Sequence, residues 1–186
     1  MVNELQGKKI AFLATDGVEQ VELVTPWNAI KEAGGHPELV SIKPGQIQAT
    51  NQDIHPADTF PVDTTVPQAK ASNYDALVLP GGTCNPDRLR INSDAMQFVR
   101  AFFAANKPVG AICHGPWSLV ETGIVARRTV TSWPSLQTDI RNAGGTWVDE
   151  EVHQEKGLVT SRKPDDLPAF CRAIIQEFAR ASLLHQ

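Results

Sequence analysis

The chain reads as an α/β protein whose mostly parallel sheet is covered on both faces. Three observations predict this. Apolar runs of strand length alternate with segments of helical spacing almost throughout. Those runs are continuous rather than alternating, as in strands buried on both sides. One strand-to-helix turn, Ala111-Ile112-Cys113-His114-Gly115-Pro116, has the form of a cysteine nucleophile elbow, with Ala111 where the first glycine usually stands.

The elements follow in order. Lys9-Ile10-Ala11-Phe12-Leu13 is a buried strand, and Thr15-Asp16-Gly17 turns the chain. Val18, Val21, Val24, Trp27 and Ile30 then recur at helical spacing up to Gly34-Gly35. A second strand runs from about His36 to Ile42. From Lys43 to Gln68 the chain is rich in Pro, Thr and Asp, without helical pattern, and reads as short strands and loops at a sheet edge. Asp75-Ala76-Leu77-Val78-Leu79 is a strand ending in Pro80-Gly81-Gly82. Met96, Val99, Phe102 and Phe103 mark a helix from about Ser93 to Asn106. Pro108 to Ile112 is the strand before the elbow, and Pro116 to Gly123 the helix after it, with Pro in its first turn and Gly at its end. A short strand near Val130-Thr131-Ser132 precedes a helix from Pro134 to Asn142. Glu151 to Ser161 predicts a hairpin turning at Lys156-Gly157, and a last helix begins near Asp165-Asp166.

At 186 residues, with 41% hydrophobic and 20% charged, the chain is long enough for one self-sufficient core, so a single domain over 1–186 is expected. A net charge of −4 offers no basic footprint for nucleic acid. No apolar run approaches the roughly 20 residues that span a bilayer. The N-terminus lacks the order of a signal peptide. Three scattered cysteines form neither a disulfide framework nor a metal pair. A reducing cytoplasm is the expected compartment, with no membrane, metal or cofactor involved.

In a fold of this kind ligands bind beyond the carboxyl ends of the strands. Asp16 to Glu22, Pro80 to Cys84 and Cys113-His114 all fall there. A thiol at a helix N-terminus, where roughly half a positive charge resides, is expected to have a lowered pKa and act as a nucleophile. His114 can move a proton to or from thiol or substrate. Glu19 and Glu22 lie one helical turn apart. Gly81-Gly82 permits close backbone approach. Cys84 is a candidate resolving thiol for an oxidised Cys113, whereas Cys171 falls on an apolar helix face.

Taken together, A-I-C-H-G-P after a strand, L-P-G-G about 30 residues upstream, V-E-x-V-E-L-V-x-P early in the chain and S-R-x-P-D-D-L-P near the end resemble the ThiJ/PfpI family, over about Lys8 to Phe178. The family belongs to the class I glutamine amidotransferase-like superfamily. The resemblance implies a flavodoxin-like three-layer sandwich, Cys113 as nucleophile and a homo-oligomer, dimer or higher. It implies a glutamate against the sulfur, Glu22 by its distance from Pro26, with Glu19 as the second choice. It further implies that the Gly82 and His114 amides form an oxyanion hole and that Trp133 lines the pocket, in a position where similar proteins often carry Tyr. Asp87 resembles a glutamate that meets the histidine across a subunit boundary in peptidase-like relatives, but it is one carbon shorter and follows a longer loop. His153-Gln154-Glu155 imitates the late His-x-Glu of glutaminases, only 40 residues after Cys113 and inside the expected hairpin, where polar exposed-face residues are expected.

The implied activity is that of a stress-protective, cofactor-free cysteine enzyme acting on reactive aldehydes or their adducts, as a glyoxalase or deglycase. The alternatives are an intracellular peptidase and a redox sensor or chaperone working through oxidation of Cys113. The expected partner is a small-molecule, peptide or protein substrate.

Overall fold

The computed structural model describes residues 3–181. Its strands are β1 (Lys9–Leu13), β2 (Val18–Glu19), β3 (His36–Ser41), β4 (Gln46–Asn51), β5 (His55–Pro61), β6 (Thr64–Thr65), β7 (Ala76–Leu79), β8 (Val109–Ile112), β9 (Thr129–Val130), β10 (Thr146–Trp147), β11 (His153–Glu155) and β12 (Leu158–Ser161). Its helices are α1 (Gln20–Glu32), α2 (Cys84–Arg90), α3 (Ser93–Ala104), α4 (Trp117–Glu121), α5 (Gln137–Asn142) and α6 (Leu167–Arg180).

Seven strands form the central sheet in the order β11-β12-β8-β7-β1-β3-β6. All its pairings are parallel except β11 with β12. Successive residues of β1 divide between the two faces. Ile10 and Phe12 join a core with Ile30 of α1 and Phe170, Ile174 and Phe178 of α6. Ala11 and Leu13 join a second core with Leu89 of α2, Phe98 and Phe102 of α3, Leu119 of α4 and Ile140 of α5. Two cores separated by one sheet make the three-layer α/β sandwich. Burial of each large side chain contributes about 1.5–3 kcal/mol, so the sheet that carries the site is held from both sides.

The expected edge segment is more organised than its composition suggests. Gln46 to Pro61 forms an antiparallel hairpin, β4–β5, which joins β2 in a separate three-stranded sheet. Ile47 and Ala49 anchor its base in the core, while residues 51–55 at its tip are exposed. The late hairpin turns at Lys156 and Gly157 as the sequence predicts, both with positive φ. Two elements differ from expectation. Residues 84–90, to which the sequence pattern assigns no element, form α2. The helix after the elbow shrinks to Trp117–Glu121, because Gly115 and Pro116 first complete a tight turn in which Gly115 N–H donates to the Ile112 carbonyl at 2.9 Å.

Candidate active site

The carboxyl ends of β7 and β8, the start of α1 and the β4–β5 tip meet around a cavity of about 290 Å³. Its walls are Glu19, Glu22, Gln52, Asp53, Gly82, Cys113, His114, Trp133 and Pro164.

Cys113 forms its floor. The residue has φ of 61°, in the left-handed region that a side chain other than glycine rarely adopts. The surrounding bonds hold this strained conformation: Cys113 N–H donates to the Ser161 carbonyl at 3.1 Å, and its own carbonyl accepts the Trp133 N–H at 2.9 Å. The result is a side chain turned away from the strand and into the cavity. Only glycine fits at position 81. A Cβ there would stand 2.5 Å from Glu22 Oε1 and 2.7 Å from Cys113 Cβ.

Glu22 has no exposed surface. Its Oε1 accepts the Gly81 N–H at 3.1 Å, and the carboxyl also meets the Cys113 side chain. Its other oxygen, Oε2, is buried without a partner of ordinary hydrogen-bond geometry. Burial pushes the Glu22 pKa up to about 8. Burial, and then the nearby Glu22 charge, also push the Cys113 thiol upward. The amides of Gly82 and His114 both hydrogen-bond to the sulfur and act in the opposite direction.

This corrects the expectation of a thiol pKa lowered by a helix. The five-residue α4 starts four positions beyond Cys113, too short and too late to supply a useful dipole, and Cys113 is only 7% exposed. A thiolate can form here only while the shared proton resides on Glu22 or has passed to His114. The sulfur, Glu22 and the two amides therefore act as one unit rather than as an independently ionised cysteine.

His114 is close to the sulfur despite being its chain neighbour, with Nδ1 3.3 Å from Sγ. Its ring stacks on Trp133, with centroids 5.9 Å apart and 22° between the planes, and meets Trp117 edge-on at 5.2 Å. Burial lowers its pKa, while the charge of Asp53 raises it. The imidazole is thus held as a neutral base beside the thiol.

The remaining candidates separate by location. Trp133 lines the cavity and is 38% exposed at its mouth. Glu19 lines it too, but its carboxylate faces the hairpin tip, accepting the Gln52 N–H at 2.7 Å and the Asp53 N–H at 3.1 Å. Glu19 therefore holds the rim, not the sulfur. Asp87 is exposed on α2 and outside the cavity walls of its own chain. Cys84, expected in the pocket, is exposed at the start of α2, where it packs over Gly17. The extra helical turn carries both away from the floor. His153 pairs with Glu150 at 2.8 Å on the edge strand β11, apart from the cavity.

Asp53 escaped the sequence reading. Its Oδ1 accepts the Thr83 N–H at 2.7 Å, linking the hairpin tip to the Gly82 loop. Thr50-Asn51-Gln52-Asp53-Ile54-His55 carries no motif, and the acid reaches the site only through bonds to residues 30 or more positions away in sequence. Among the described residues, no three His, Cys, Asp or Glu side chains are grouped to hold a metal ion, and no helix is long and apolar enough to cross a membrane.

The chain is 38% identical over 168 residues to a deglycase of Pyrococcus horikoshii, covering 90% of this chain and 98% of that one. It is also 38% identical over 165 residues to YraA of Bacillus subtilis, whose name proposes a cysteine protease, covering 89% and 95%. Among solved structures it matches a two-domain protein of Anabaena variabilis that has DJ-1/ThiJ/PfpI-like and ferritin-like domains. That match has a TM-score of 0.85 and 32% identity, and covers 91% of this chain but 47% of the larger one. The DJ-1/PfpI family model matches residues 8–177, and the chain belongs to the DJ-1/PfpI family.

Proposed function

We propose that this protein is a cysteine-dependent enzyme acting on reactive aldehydes, or on the adducts they form with amines, without a cofactor. The observation that supports this most directly is the cluster on the cavity floor: Cys113 Sγ beside His114 Nδ1 at 3.3 Å, against a buried Glu22 carboxyl that is largely protonated at neutral pH.

For a 2-oxoaldehyde the sulfur adds to the aldehyde carbon as the thiol proton passes to His114 Nδ1. The carbonyl oxygen becomes an alkoxide, received by the Gly82 and His114 amides, and then takes that proton to give a hemithioacetal. Glu22, being neutral, donates to the sulfur and stabilises it as it loses its proton. Removal of the hydrogen on the former aldehyde carbon and its return to the neighbouring carbon, as the hydroxyl proton passes to the ketone oxygen, turns the hemithioacetal into the thioester of a 2-hydroxy acid. Water then releases a 2-hydroxy acid and restores the thiol. With a hemiaminal adduct, a C–S bond replaces the C–N bond, the amine leaves with the proton taken from the thiol, and the same hemithioacetal results.

The cavity volume suits small carbonyl compounds better than a folded polypeptide segment. The name of the Pyrococcus relative supports the same class. On this reading the protein works in a reducing cytoplasm, in stress protection, and as a homo-oligomer, in keeping with the family resemblance.

The test is lactate formation from methylglyoxal by the wild type and by Cys113→Ser. Turnover that depends on Cys113 supports the proposal. No turnover above Cys113→Ser, with stoichiometric oxidation of Cys113 by peroxide, overturns it in favour of a redox sensor. Cleavage of casein and fluorogenic peptides without aldehyde turnover overturns it in favour of a peptidase.

A further inference from the structure

The ionisable side chains in the cavity wall are Glu19, Glu22, Asp53, Cys113 and His114, with no Lys or Arg among them. Burial holds Glu22 largely neutral near neutral pH and works against charge on His114. Glu19 and Asp53 therefore supply the fixed charge that faces the cavity, and it is negative. The adjoining groove, which shares Glu19, Gln52, Trp133 and Pro164 with the cavity, adds Lys163 and Asp165. These two lie 4.0 Å apart and largely offset each other.

The two rim acids are not equivalent. Glu19 engages both oxygens with backbone N–H groups of the hairpin tip, whereas Asp53 engages Oδ1 with a single one, from Thr83. The backbone is bent to deliver Asp53. Gln52 and Asp53 are successive non-glycine residues in the left-handed region, with φ of 55° and 66°. Such conformations cost roughly 1–3 kcal/mol each unless surrounding bonds hold them, and here the Glu19 carboxylate caps both N–H groups. The acid thus stands over the entrance, on a turn pinned to α1 through Glu19 and to the Gly82 loop through Thr83.

We propose that Asp53 is the charge-selecting residue of this site: its carboxylate admits neutral 2-oxoaldehydes to Cys113 and turns away carbonyl compounds that carry an anionic group, such as 2-oxo acids and phosphorylated aldehydes. The substrate half of this proposal rests on the function proposed above. The selection half is a property of the cavity and can be measured without turnover. Asp53 shares the cavity wall with Cys113, and its charge reaches both His114 and Glu22 on the floor. An exposed carboxylate acting over such a range is worth about 5- to 10-fold against a like charge at low salt, and less as salt screens it.

The experiment alkylates Cys113 with neutral iodoacetamide or anionic iodoacetate. Modification is followed on the Cys113 peptide by mass spectrometry, and both rates are normalised to those of free N-acetylcysteine. Wild type is expected to favour iodoacetamide by about 5- to 10-fold more than the free thiol does. Asp53→Asn, which keeps an acceptor for the Thr83 N–H and tolerates the left-handed backbone, is expected to remove most of that preference. Addition of 0.5 M salt should shrink the wild-type preference alone. A merely structural role for Asp53 leaves the preference unchanged in Asp53→Asn, and that result overturns the proposal. If the Asn variant fails to melt cooperatively, Asp53→Ser serves in its place.

In the turnover arm, kcat/KM for the anionic 2-oxoaldehyde 4,5-dioxopentanoate, which the same reaction turns into a 2-hydroxy acid, should rise relative to methylglyoxal in Asp53→Asn by the same factor. A shifted alkylation preference with neither aldehyde consumed upholds the charge filter and defeats the aldehyde-enzyme reading. Turnover of methylglyoxal with no shift in either ratio does the reverse.

Discussion

The floor and the rim of the cavity are built on opposite principles. The floor lies at the ends of β7 and β8 and carries one acid and one thiol stripped of water, Glu22 and Cys113. The rim is the exposed tip of the β4–β5 hairpin, and its acid keeps its hydration. Glu19 and Glu22 show the contrast within one turn of α1 and its approach. The inward residue becomes a weak acid that shares a proton with sulfur, whereas the outward one stays a ligand for backbone N–H groups. Burial, not residue type, decides which carboxyl can take part in proton transfer.

The largest effect that would break this contrast is expected at the floor. Cys113→Ser should lower aldehyde turnover by at least about 10³-fold, since a serine hydroxyl is a far weaker nucleophile at neutral pH. Retention of activity in steady-state assays would place the chemistry elsewhere.

Glu22→Gln should lower kcat by roughly 10- to 100-fold by removing a proton donor to sulfur. It should also change the pH dependence of stability. The Glu22 pKa is raised from 4.5 to about 8, so the folded state holds a proton that the unfolded chain has already released. Stability therefore falls as pH rises through this window, by on the order of 5 kcal/mol, with the loss absent below it and complete above it. Urea denaturation of wild type at several pH values should show that slope, and Glu22→Gln should flatten it. Equal slopes would place Glu22 in contact with water.

Glu19→Ala tests the rim. It leaves the Gln52 and Asp53 N–H groups without their acceptor and should cost about 1–2 kcal/mol. Hydrogen exchange should accelerate at residues 51–55, and KM should rise more than kcat falls. A fall confined to kcat would move Glu19 to the floor. The smallest effect is expected at His153→Ala, which should leave kcat and KM within about two-fold. A large loss there would favour a glutaminase-like arrangement.

The floor was legible in the sequence because strands and tight turns write themselves locally. Continuous apolar runs mark β1, β7 and β8, and the glycines of Gly81-Gly82 and Gly115 mark where backbone and side chain crowd together. The choice of Glu22 over Glu19 rested on its distance from Pro26, and the structure places Glu22 against the sulfur. The thiol's electrostatics were not legible. They depend on how deeply the elbow is buried and on the length of α4, and neither is encoded in the six residues of the motif. The rim was less legible still. Asp53 owes its position to Glu19 and Thr83, and a polar segment with no period gives no sign of which long-range hydrogen bonds it will form.

The hairpin is sewn into the protein at its base and only buttoned at its tip. Ile47 and Ala49 are packed in the core, whereas residues 51–55 meet the rest of the molecule largely through polar contacts. Substitutions at the tip can therefore recast what the cavity accepts while the sheet and its reactive sulfur stay as they are. Selectivity and chemistry occupy separable parts of this scaffold, and one can be redesigned without rebuilding the other.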